Sequence, residues 1–426
     1  MDIDYHKLPL RYILCIDVKS FFASVEAVRR GLDPLDAYII VVSDLNVPGA
    51  VILASSPKVK SEFGIKTGNR LFEVPKDEKL ILVEPSMQLY LDINRKIHKI
   101  FSDFAADEDI LVYSIDEAFI DVTSTMNILG NPWEIALLIK EKIKKELGLV
   151  VTIGIGDNPL LAKLALDNSA KSKQSQIAYW SYGTIPQTVW KIKKLTDFWG
   201  INKGYEERLS KLGINSVYAL AHYPKEILYE KFGIIGLQHF YHANGVDYTL
   251  LSERIKPKTH SYSKGQVLPH DYNNKNELLI ILSEMVEEVA SRLRKNNMVC
   301  KEIHLYARLS KYENEKSFSK SKAIAPTSSS SHLKDEFISI FNAAWKNESI
   351  RQFNISCNKV ADDYYEQLDL FSSLKDEKYK KLDDVLDSIK GKHGKTSVFK
   401  GYNLMDGSTF FERAKKVGGH TGKTEV

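Results

Sequence analysis

The chain has 426 residues, of which 43% are hydrophobic and 27% charged. These values exclude a wholly disordered chain, a collagen and a disulfide-stapled miniprotein, and at roughly 150 residues per domain the length predicts two to four domains. The three cysteines are an odd number without a CxxC spacing, which argues against a disulfide framework and a structural zinc site. No apolar run reaches 18 residues and the first six residues are polar and acidic, so we expect no membrane span, no secretory signal and a cytoplasmic location.

The first 31 residues predict a strand, a turn and a helix. Residues 11–17 form a short apolar run that ends at Asp17, which is typical of a buried strand. Ser20 is a candidate N-cap for a helix with apolar residues at helical spacing, and Gly31 stands where a helix often ends.

Two strand-like runs, residues 110–115 and 118–122, are separated only by Asp116 and Glu117. This pattern predicts a hairpin with two acids at its tip. A helix opened by Asn131 and closed by Gly148 follows, and then a strand over 150–156. This order predicts an α+β domain with a ferredoxin-like sheet and helices on one face, with a loop-rich subdomain inserted at about 40–84.

After residue 183 the sequence pattern changes and predicts short helices with glycine turns. Residues 247–262 resemble a linker, and 263–360 mix a helix over 276–295 with a strand over 303–308. The serine- and lysine-rich stretch 317–331 is interpreted as a mobile loop, and the polar tail beyond 361 is expected to be disordered.

Charge is unevenly distributed along the chain. Residues 1–182 carry 21 basic and 25 acidic side chains, whereas residues 183–360 carry 26 and 18. A carboxylate-bearing site beside a basic surface for polyanions is one interpretation, and ordinary solvated charge is the other.

Three carboxylates end or interrupt strands that should be neighbours in one sheet: Asp17, Asp116 and Glu117. Clustered acids repel one another, and Mg²⁺ suits all-oxygen ligands and shares its shell with phosphates. Two such ions support in-line phosphoryl or nucleotidyl transfer. From spacing alone, a turn that is acidic only for solubility stays an open alternative.

Two motifs carry a family resemblance. Residues 113–121 read YSIDEAFID, and residues 15–26 upstream read CIDVKSFFASVE. Together they resemble the paired catalytic motifs of the Y-family DNA polymerases, most closely the bacterial UmuC-like branch. Residues 160–165, with the sequence LLAKLA, are similar to a palm helix of that family, and the glycine turns at 199–201 and 212–214 are similar to its helix-hairpin-helix thumb.

The resemblance implies an α+β, multidomain right-hand polymerase with a ferredoxin-like palm, small fingers, a helix-hairpin-helix thumb and an α/β little-finger domain. The implied boundaries are palm 1–20 and 85–182, fingers 21–84, thumb 183–246, linker 247–262, little finger 263–360 and a C-terminal tail 361–426.

The resemblance also assigns roles to residues near the two motifs. Asp17, Asp116 and Glu117 would be the catalytic acids and the ligands of two Mg²⁺ ions, with the main-chain carbonyl of Val18. Phe22 would be a steric gate, whose ring leaves no room for a 2′-hydroxyl group.

The nucleoside triphosphate would contact further groups of the chain. The N–H groups of Phe21 and Phe22 lie in the first turn of a predicted helix, a ready site for phosphate oxygens. Lys60 and Lys171 would contact the triphosphate, although each stands one residue from its usual family spacing. Either lysine is alternatively a solvated surface charge.

A short peptide near residue 370 resembles the segment with which bacterial proteins bind the sliding clamp. An extended peptide of this kind inserts apolar side chains into a pocket. Its residues here would be Gln367, Leu368, Leu370 and Phe371. The alternative is a piece of tail that packs on its own domain.

The function implied is that of an error-prone, translesion DNA-directed DNA polymerase in DNA repair and damage tolerance. Its expected partners are primer-template DNA, deoxynucleoside triphosphates, the sliding clamp and candidate accessory subunits, with no membrane, in a nucleoid-associated location. The first alternative is a non-catalytic accessory protein that binds primer ends and the clamp. The second is another palm-type metal enzyme such as a nucleotide cyclase, which would have no use for a basic thumb or a clamp peptide.

Overall fold

The computed structural model describes residues 3–253, 260–363 and 374–421. The chain divides into two compact units, Met1–Arg254 with His420–Val426, and Ile255–Gly419.

The first unit mixes helices and strands. In chain order they are β1 (Ile13–Val18), α1 (Phe21–Arg29), β2 (Ile39–Val42), β3 (Ile52–Ser55), α2 (Pro57–Glu62), β4 (Ile81–Val83), α3 (Met87–Phe101), β5 (Ile110–Val112), β6 (Glu117–Asp121), α4 (Met126–Leu129), α5 (Pro132–Leu147), β7 (Val151–Gly156), α6 (Pro159–Asn168), β8 (Ile177–Trp180), α7 (Lys203–Ser210), α8 (Val217–Ala221), α9 (Lys225–Phe232) and α10 (Ile234–Ala243).

A five-stranded sheet in the order β5-β6-β1-β7-β8 forms the centre of this unit. The first four strands pair antiparallel, and β8 joins β7 in parallel. The predicted hairpin is confirmed as β5 and β6, but its turn covers residues 113–116, so that Asp116 lies in the turn and Glu117 already belongs to β6. Helix α5 begins after the cap Asn131 and ends at Gly148, as expected. The ferredoxin-like strand order is therefore confirmed.

The expectation that helices cover only one face of this sheet is wrong. One face packs against α3 and α5 through a core that includes Ile16, Ile97 and Ile139. The other face packs against α6. The two lie very close together, since a Cβ atom on Gly154 would be only 2.1 Å from the carbonyl oxygen of Ala162 in α6. Glycine in β7 thus lets α6 lie directly on the strand.

Ser20 precedes α1 as expected, but its side chain makes no capping hydrogen bond. The residue adopts a left-handed conformation with φ 51°. The Ser20 hydroxyl accepts a hydrogen bond from Lys60 Nζ at 2.7 Å instead.

The inserted subdomain is built on a small three-stranded sheet in the order β3-β2-β4. The β2 strand is fully buried between two apolar clusters. Farther along the chain, α7 to α10 pack with Trp180, Val189 and Phe198 around a separate core. Asn202 caps α7 by accepting a hydrogen bond from the N–H of Tyr205 at 2.9 Å.

The second unit is also α+β. Its elements are β9 (Tyr262–Tyr272), α11 (Lys275–Lys295), β10 (Met298–Leu309), β11 (Ser317–Thr327), α12 (Ser330–Ala344), β12 (Ile350–Asn358), β13 (Ala361–Asp362), α13 (Leu374–His393), α14 (Phe410–Ala414) and β14 (Lys416–Val417), with β15 (His420–Thr421) assigned to the first unit. Strands β9 to β12 form a sheet in the order β11-β10-β12-β9, and α11 and α12 pack on one face of it.

Two expectations for this unit are wrong. The stretch 317–331 is not a loop, because β11 pairs antiparallel with β10 from Ser317 to Thr327. Residues 374–419 of the tail are ordered, and part of this segment packs on α11. The buried Glu284 accepts hydrogen bonds there from Asn403 Nδ2 at 3.1 Å and Ser408 Oγ at 2.6 Å.

Candidate active site

The three predicted acids meet at one end of the central sheet of the first unit. Asp17 in β1 is the direct register partner of Glu117 in β6. The N–H of Val18 donates to the carbonyl oxygen of Asp116 at 2.9 Å, which holds the hairpin tip against the end of β1. Sequence motifs almost a hundred residues apart therefore place their carboxylates on adjacent strands.

The tip of the hairpin is fixed by local hydrogen bonds. Ser114 Oγ donates to Asp116 Oδ1 at 2.6 Å, and the N–H groups of Tyr113 and Ser114 both donate to the Glu117 carbonyl oxygen at 3.0 Å. These bonds orient the backbone between the two acids. The half-buried carboxylate of Asp116 is thereby held at the same strand end as Asp17.

Lys171 binds the first acid of the site. Its Nζ lies 3.0 Å from Asp17 Oδ2 and 2.7 Å from Asp167 Oδ1. Burial raises the pKa of the Asp17 carboxyl, because desolvation outweighs the opposing effect of Lys171. Lys171 itself has a raised pKa, since Asp17 and Asp167 together outweigh the lowering effect of burial. Lys171, which the resemblance assigned to the triphosphate, thus lies beside Asp17.

Glu117 is held by two side chains that sequence reasoning did not single out. Lys163 Nζ lies 2.8 Å from Glu117 Oε2, and Cys15 Sγ donates to Glu117 Oε1 at 3.3 Å. The Lys163 side chain is only 9% exposed. Its pKa is raised because the hydrogen bond to Glu117 and nearby acids outweigh the opposing effect of burial. The buried thiol of Cys15 has a raised pKa through desolvation, with Glu117 adding to the effect.

Lys60 approaches the site from α2. Its Nζ donates to Ser20 Oγ, at the turn between β1 and α1. Burial lowers the pKa of Lys60, partly offset by the negative charge of Asp17. The ammonium group therefore lies beside the start of α1, where Phe21 and Phe22 occupy the first turn.

Phe22 differs from its neighbour in burial. Phe21 is buried in the core, whereas Phe22 is partly exposed and packs against two apolar clusters. The ring of Phe22 stacks on that of Tyr90 in α3. One face of the gate candidate is thus supported by a buried aromatic ring.

The donor set suits a hard divalent cation, since the three acids and the Val18 carbonyl offer only oxygen atoms. Within the described ranges, no three His, Cys, Asp or Glu side chains converge closely enough to hold a metal ion. Lys171 and Lys163 each contact one of the acids, so an ammonium group already supplies positive charge to Asp17 and to Glu117. The residues therefore fit a cation site in the chemistry of their oxygen donors, while the two lysines hold Asp17 and Glu117 in ion pairs.

The predicted clamp peptide cannot be placed in the same way. Gln367, Leu368, Leu370 and Phe371 lie outside the residues that the structure describes. Among the described helices, none is long and apolar enough to cross a membrane.

Comparisons with known proteins identify the family of the chain. Residues 16–167 match the impB/mucB/samB family, and residues 259–370 match the C-terminal domain of that family. The UV-damage repair protein UvrX of Bacillus subtilis (strain 168) is 39% identical over 419 residues, which cover 98% of this chain and 99% of UvrX. DNA polymerase IV 2 of the same organism is 30% identical over 413 residues, covering 96% and 98%.

A solved structure shares the fold. A Y-family DNA polymerase chimera superposes with a TM-score of 0.66 at 20% identity, covering 82% of this chain and 99% of the chimera. The family matches, the full-length relatives and this likeness of fold lead to one conclusion: the chain belongs to the impB/mucB/samB family and is a Y-family, DNA-directed DNA polymerase.

Proposed function

We propose that this polymerase is of the error-prone translesion type and that it acts by two-metal nucleotidyl transfer. The observation that carries this proposal is the register of Asp17 with Glu117, with Asp116 hydrogen-bonded to the same strand end. Three carboxylates on adjacent strands of one rigid sheet are preorganised for cation-assisted chemistry.

Asp17, Asp116, Glu117 and the Val18 carbonyl would hold two Mg²⁺ ions. When bound, such ions lower the pKa of the attacking hydroxyl and neutralise charge on the phosphates. The primer 3′-hydroxyl attacks the α-phosphorus of a deoxynucleoside triphosphate, a phosphodiester bond forms and pyrophosphate leaves. The chain's own contribution is to hold these carboxylates in a half-buried site where charge interactions are strong.

Lys171 and Lys60 are proposed to bind the triphosphate with the N–H groups of Phe21 and Phe22. The positive end of α1 and the two ammonium groups offer complementary charge to the phosphate oxygens. The ring of Phe22, supported by Tyr90, would lie against the sugar and exclude a 2′-hydroxyl.

Duplex DNA is proposed to lie along the predicted thumb, 183–246, and little finger, 263–360. In the second unit, the sheet face opposite α11 and α12 is polar, because every second residue of β12 is polar: Gln352, Asn354, Ser356 and Asn358. Neutral hydrogen-bonding groups of this kind suit contacts to the DNA backbone without reading sequence. The predicted boundaries of palm 1–20 and 85–182, fingers 21–84 and linker 247–262 belong to the same proposal.

We further propose that residues 367–371 bind the bacterial sliding clamp and that the enzyme works in the cytoplasm at the nucleoid. Tethering to a clamp raises the effective concentration of the enzyme at the primer end. Accessory subunits remain candidate partners.

Primer extension by the full chain tests this function. Undamaged templates and templates with a single bulky lesion are compared, with Mg²⁺ and each deoxynucleoside triphosphate. Short extension that continues past the lesion supports translesion synthesis. Extension that stops at every lesion overturns the translesion assignment, and binding of primer ends without extension favours the non-catalytic alternative.

A further inference from the structure

Three side chains of alternating charge connect Glu117 with Asp17, and together with these two acids they form a series of five charged groups. Glu117 contacts Lys163 at 2.8 Å, and Lys163 contacts Asp167 at 3.0 Å. Asp167 contacts Lys171 at 2.7 Å, and Lys171 contacts Asp17 at 3.0 Å. The central member, Asp167, is the one residue of this series that pairs with both lysines.

The series follows from helical spacing. Lys163, Asp167 and Lys171 are four residues apart along α6 and the 3₁₀ turn Ala170–Ser172 that follows it, so they lie on one face. Close contact of α6 with Gly154 and Gly156 of β7 holds the helix against the sheet that bears the acids. The backbone that carries Asp167 is therefore held in place, whereas the half-exposed side chain of Lys171 retains rotamer freedom.

We infer that Asp167 is a positioning residue for nucleotide addition, which keeps the Lys171 ammonium at the site when that ammonium leaves Asp17. This role of Asp167 rests on the proposed contact between Lys171 and the triphosphate. Asp167 also contacts Lys163, so that neither Asp17 nor Glu117 is the sole partner of its lysine.

Asp167 has two opposite effects on nucleotide binding. As an anion it competes with the triphosphate for Lys171, and as an anchor it restricts where the ammonium can go. The Lys171 side chain is 46% exposed, so most of the competition is screened by water. Without Asp167, Lys171 would retain a single acid, Asp17, and would pair with it more closely. Positioning therefore outweighs competition, and loss of Asp167 weakens nucleotide binding.

A double-mutant cycle tests this role. The full chain is compared with Asp167→Asn, Lys171→Gln and the double variant, since each substitution removes charge at nearly constant size. The dissociation constant of a complementary deoxynucleoside triphosphate is measured on primer-template DNA with a 3′-dideoxy primer, so that no turnover contributes. Asp103→Asn is the matched control, because Asp103 forms an exposed ion pair with Lys142 at 2.6 Å.

We expect Asp167→Asn to raise this dissociation constant by about tenfold, and to add almost nothing when Lys171 is already Gln. Asp167→Glu should restore part of the loss, and Asp103→Asn should match the wild type. Unfolding temperatures of all variants are measured, since a merely structural role would lower them and would make the two effects additive.

The possible results distinguish failure of the proposed contact between Lys171 and the triphosphate from failure of the proposed role of Asp167. If Lys171→Gln leaves the dissociation constant unchanged, the proposed triphosphate contact is wrong and the role of Asp167 is lost with it. If Lys171→Gln weakens binding while Asp167→Asn does not, or if their effects add, only the role of Asp167 is overturned. Tighter binding by Asp167→Asn would show that competition outweighs positioning, which also overturns it.

Discussion

The ring of Phe22 stacks on the ring of Tyr90, with centroids 4.4 Å apart and planes inclined by 14°. The Tyr90 hydroxyl donates to Glu26 Oε1 at 2.9 Å, and Glu26 also pairs with Arg30. Because Tyr90 and Glu26 are buried, they give the Phe22 ring a rigid support that fixes its position. The partly exposed Phe22 ring is thus held in place at the start of α1, where we propose that the nucleotide sugar lies.

Phe22→Ala should raise ribonucleotide incorporation, since the space taken by the ring would accept a 2′-hydroxyl. We expect the ratio of kcat/KM for dCTP over CTP to fall by about tenfold to a hundredfold. Tyr90→Leu should give a smaller fall, because the ring loses its support but remains present. Phe72→Ala is the control, as that ring is 69% exposed. An unchanged ratio in Phe22→Ala would contradict the gate assignment.

Lys60→Gln should weaken triphosphate binding without removing the chemistry. Loss of one charge-assisted contact corresponds to an increase in the KM for deoxynucleoside triphosphate of about tenfold, with kcat changed far less. Steady-state single-nucleotide insertion measures both constants. Lys58→Gln on the same helix is the matched control, because Lys58 pairs with the surface acids Asp36 and Glu62. Equal effects of the two substitutions would assign Lys60 to general surface charge.

Asp17→Asn should abolish nucleotide insertion and raise the unfolding temperature of the protein at neutral pH. Burial raises the pKa of the Asp17 carboxyl, so its ionisation costs more in the folded than in the unfolded chain. Lys171 would still keep Asp167 as a partner in the variant.

The sign of the pH dependence follows from the same shift. Above the raised pKa of folded Asp17 the cost of ionisation is present in full; it declines as the pH falls below that pKa and is gone below the lower pKa of the unfolded chain. The stability advantage of Asp17→Asn should therefore shrink in acid. Calorimetry across this range checks it, and a lower unfolding temperature at neutral pH would contradict the account.

Glu284→Ala should loosen the segment 400–413 from α11. The buried carboxylate accepts hydrogen bonds from Asn403, Ser408 and Thr409, and lies 3.6 Å from Arg413. Loss of one partner of a buried charged network costs about 3–5 kcal/mol. Hydrogen exchange of this segment should rise sharply.

The exposed acid Glu315 provides the control for this substitution, because its pair with Lys346 lies at the surface. Glu315→Ala should leave exchange in 400–413 unchanged. Unaltered exchange in Glu284→Ala would mean that the segment is held by its other contacts.

The sequence predicted those parts of the site that depend on local pattern. The apolar run ending at Asp17 and the hairpin at Asp116 were recognisable, because strand period and turn spacing are local properties. The ends of α5 were equally predictable, since Asn131 accepts hydrogen bonds from two N–H groups and Gly148 takes a left-handed φ of 66°.

Features that depend on distant partners were missed. Lys163 and Asp167 stand at helical spacing, but their pairing with Glu117 and Lys171 arises only when α6 lies on the sheet. The tail was expected to be disordered because it is polar, yet its polar groups meet Glu284 more than a hundred residues away. Serine and lysine along β11 suggested a loop, although a polar composition is also typical of an edge strand.

Single-nucleotide insertion by Asp116→Ala/Glu117→Ala shows whether the acids at the end of the sheet carry nucleotide transfer. Binding of primer-template DNA and the unfolding temperature are measured on the same samples, and Asp121→Ala on β6 is the matched control. We expect the double variant to bind DNA and stay folded while insertion falls by several orders of magnitude. Insertion at the wild-type rate by this variant would show that these carboxylates do not carry the reaction, and would contradict the account.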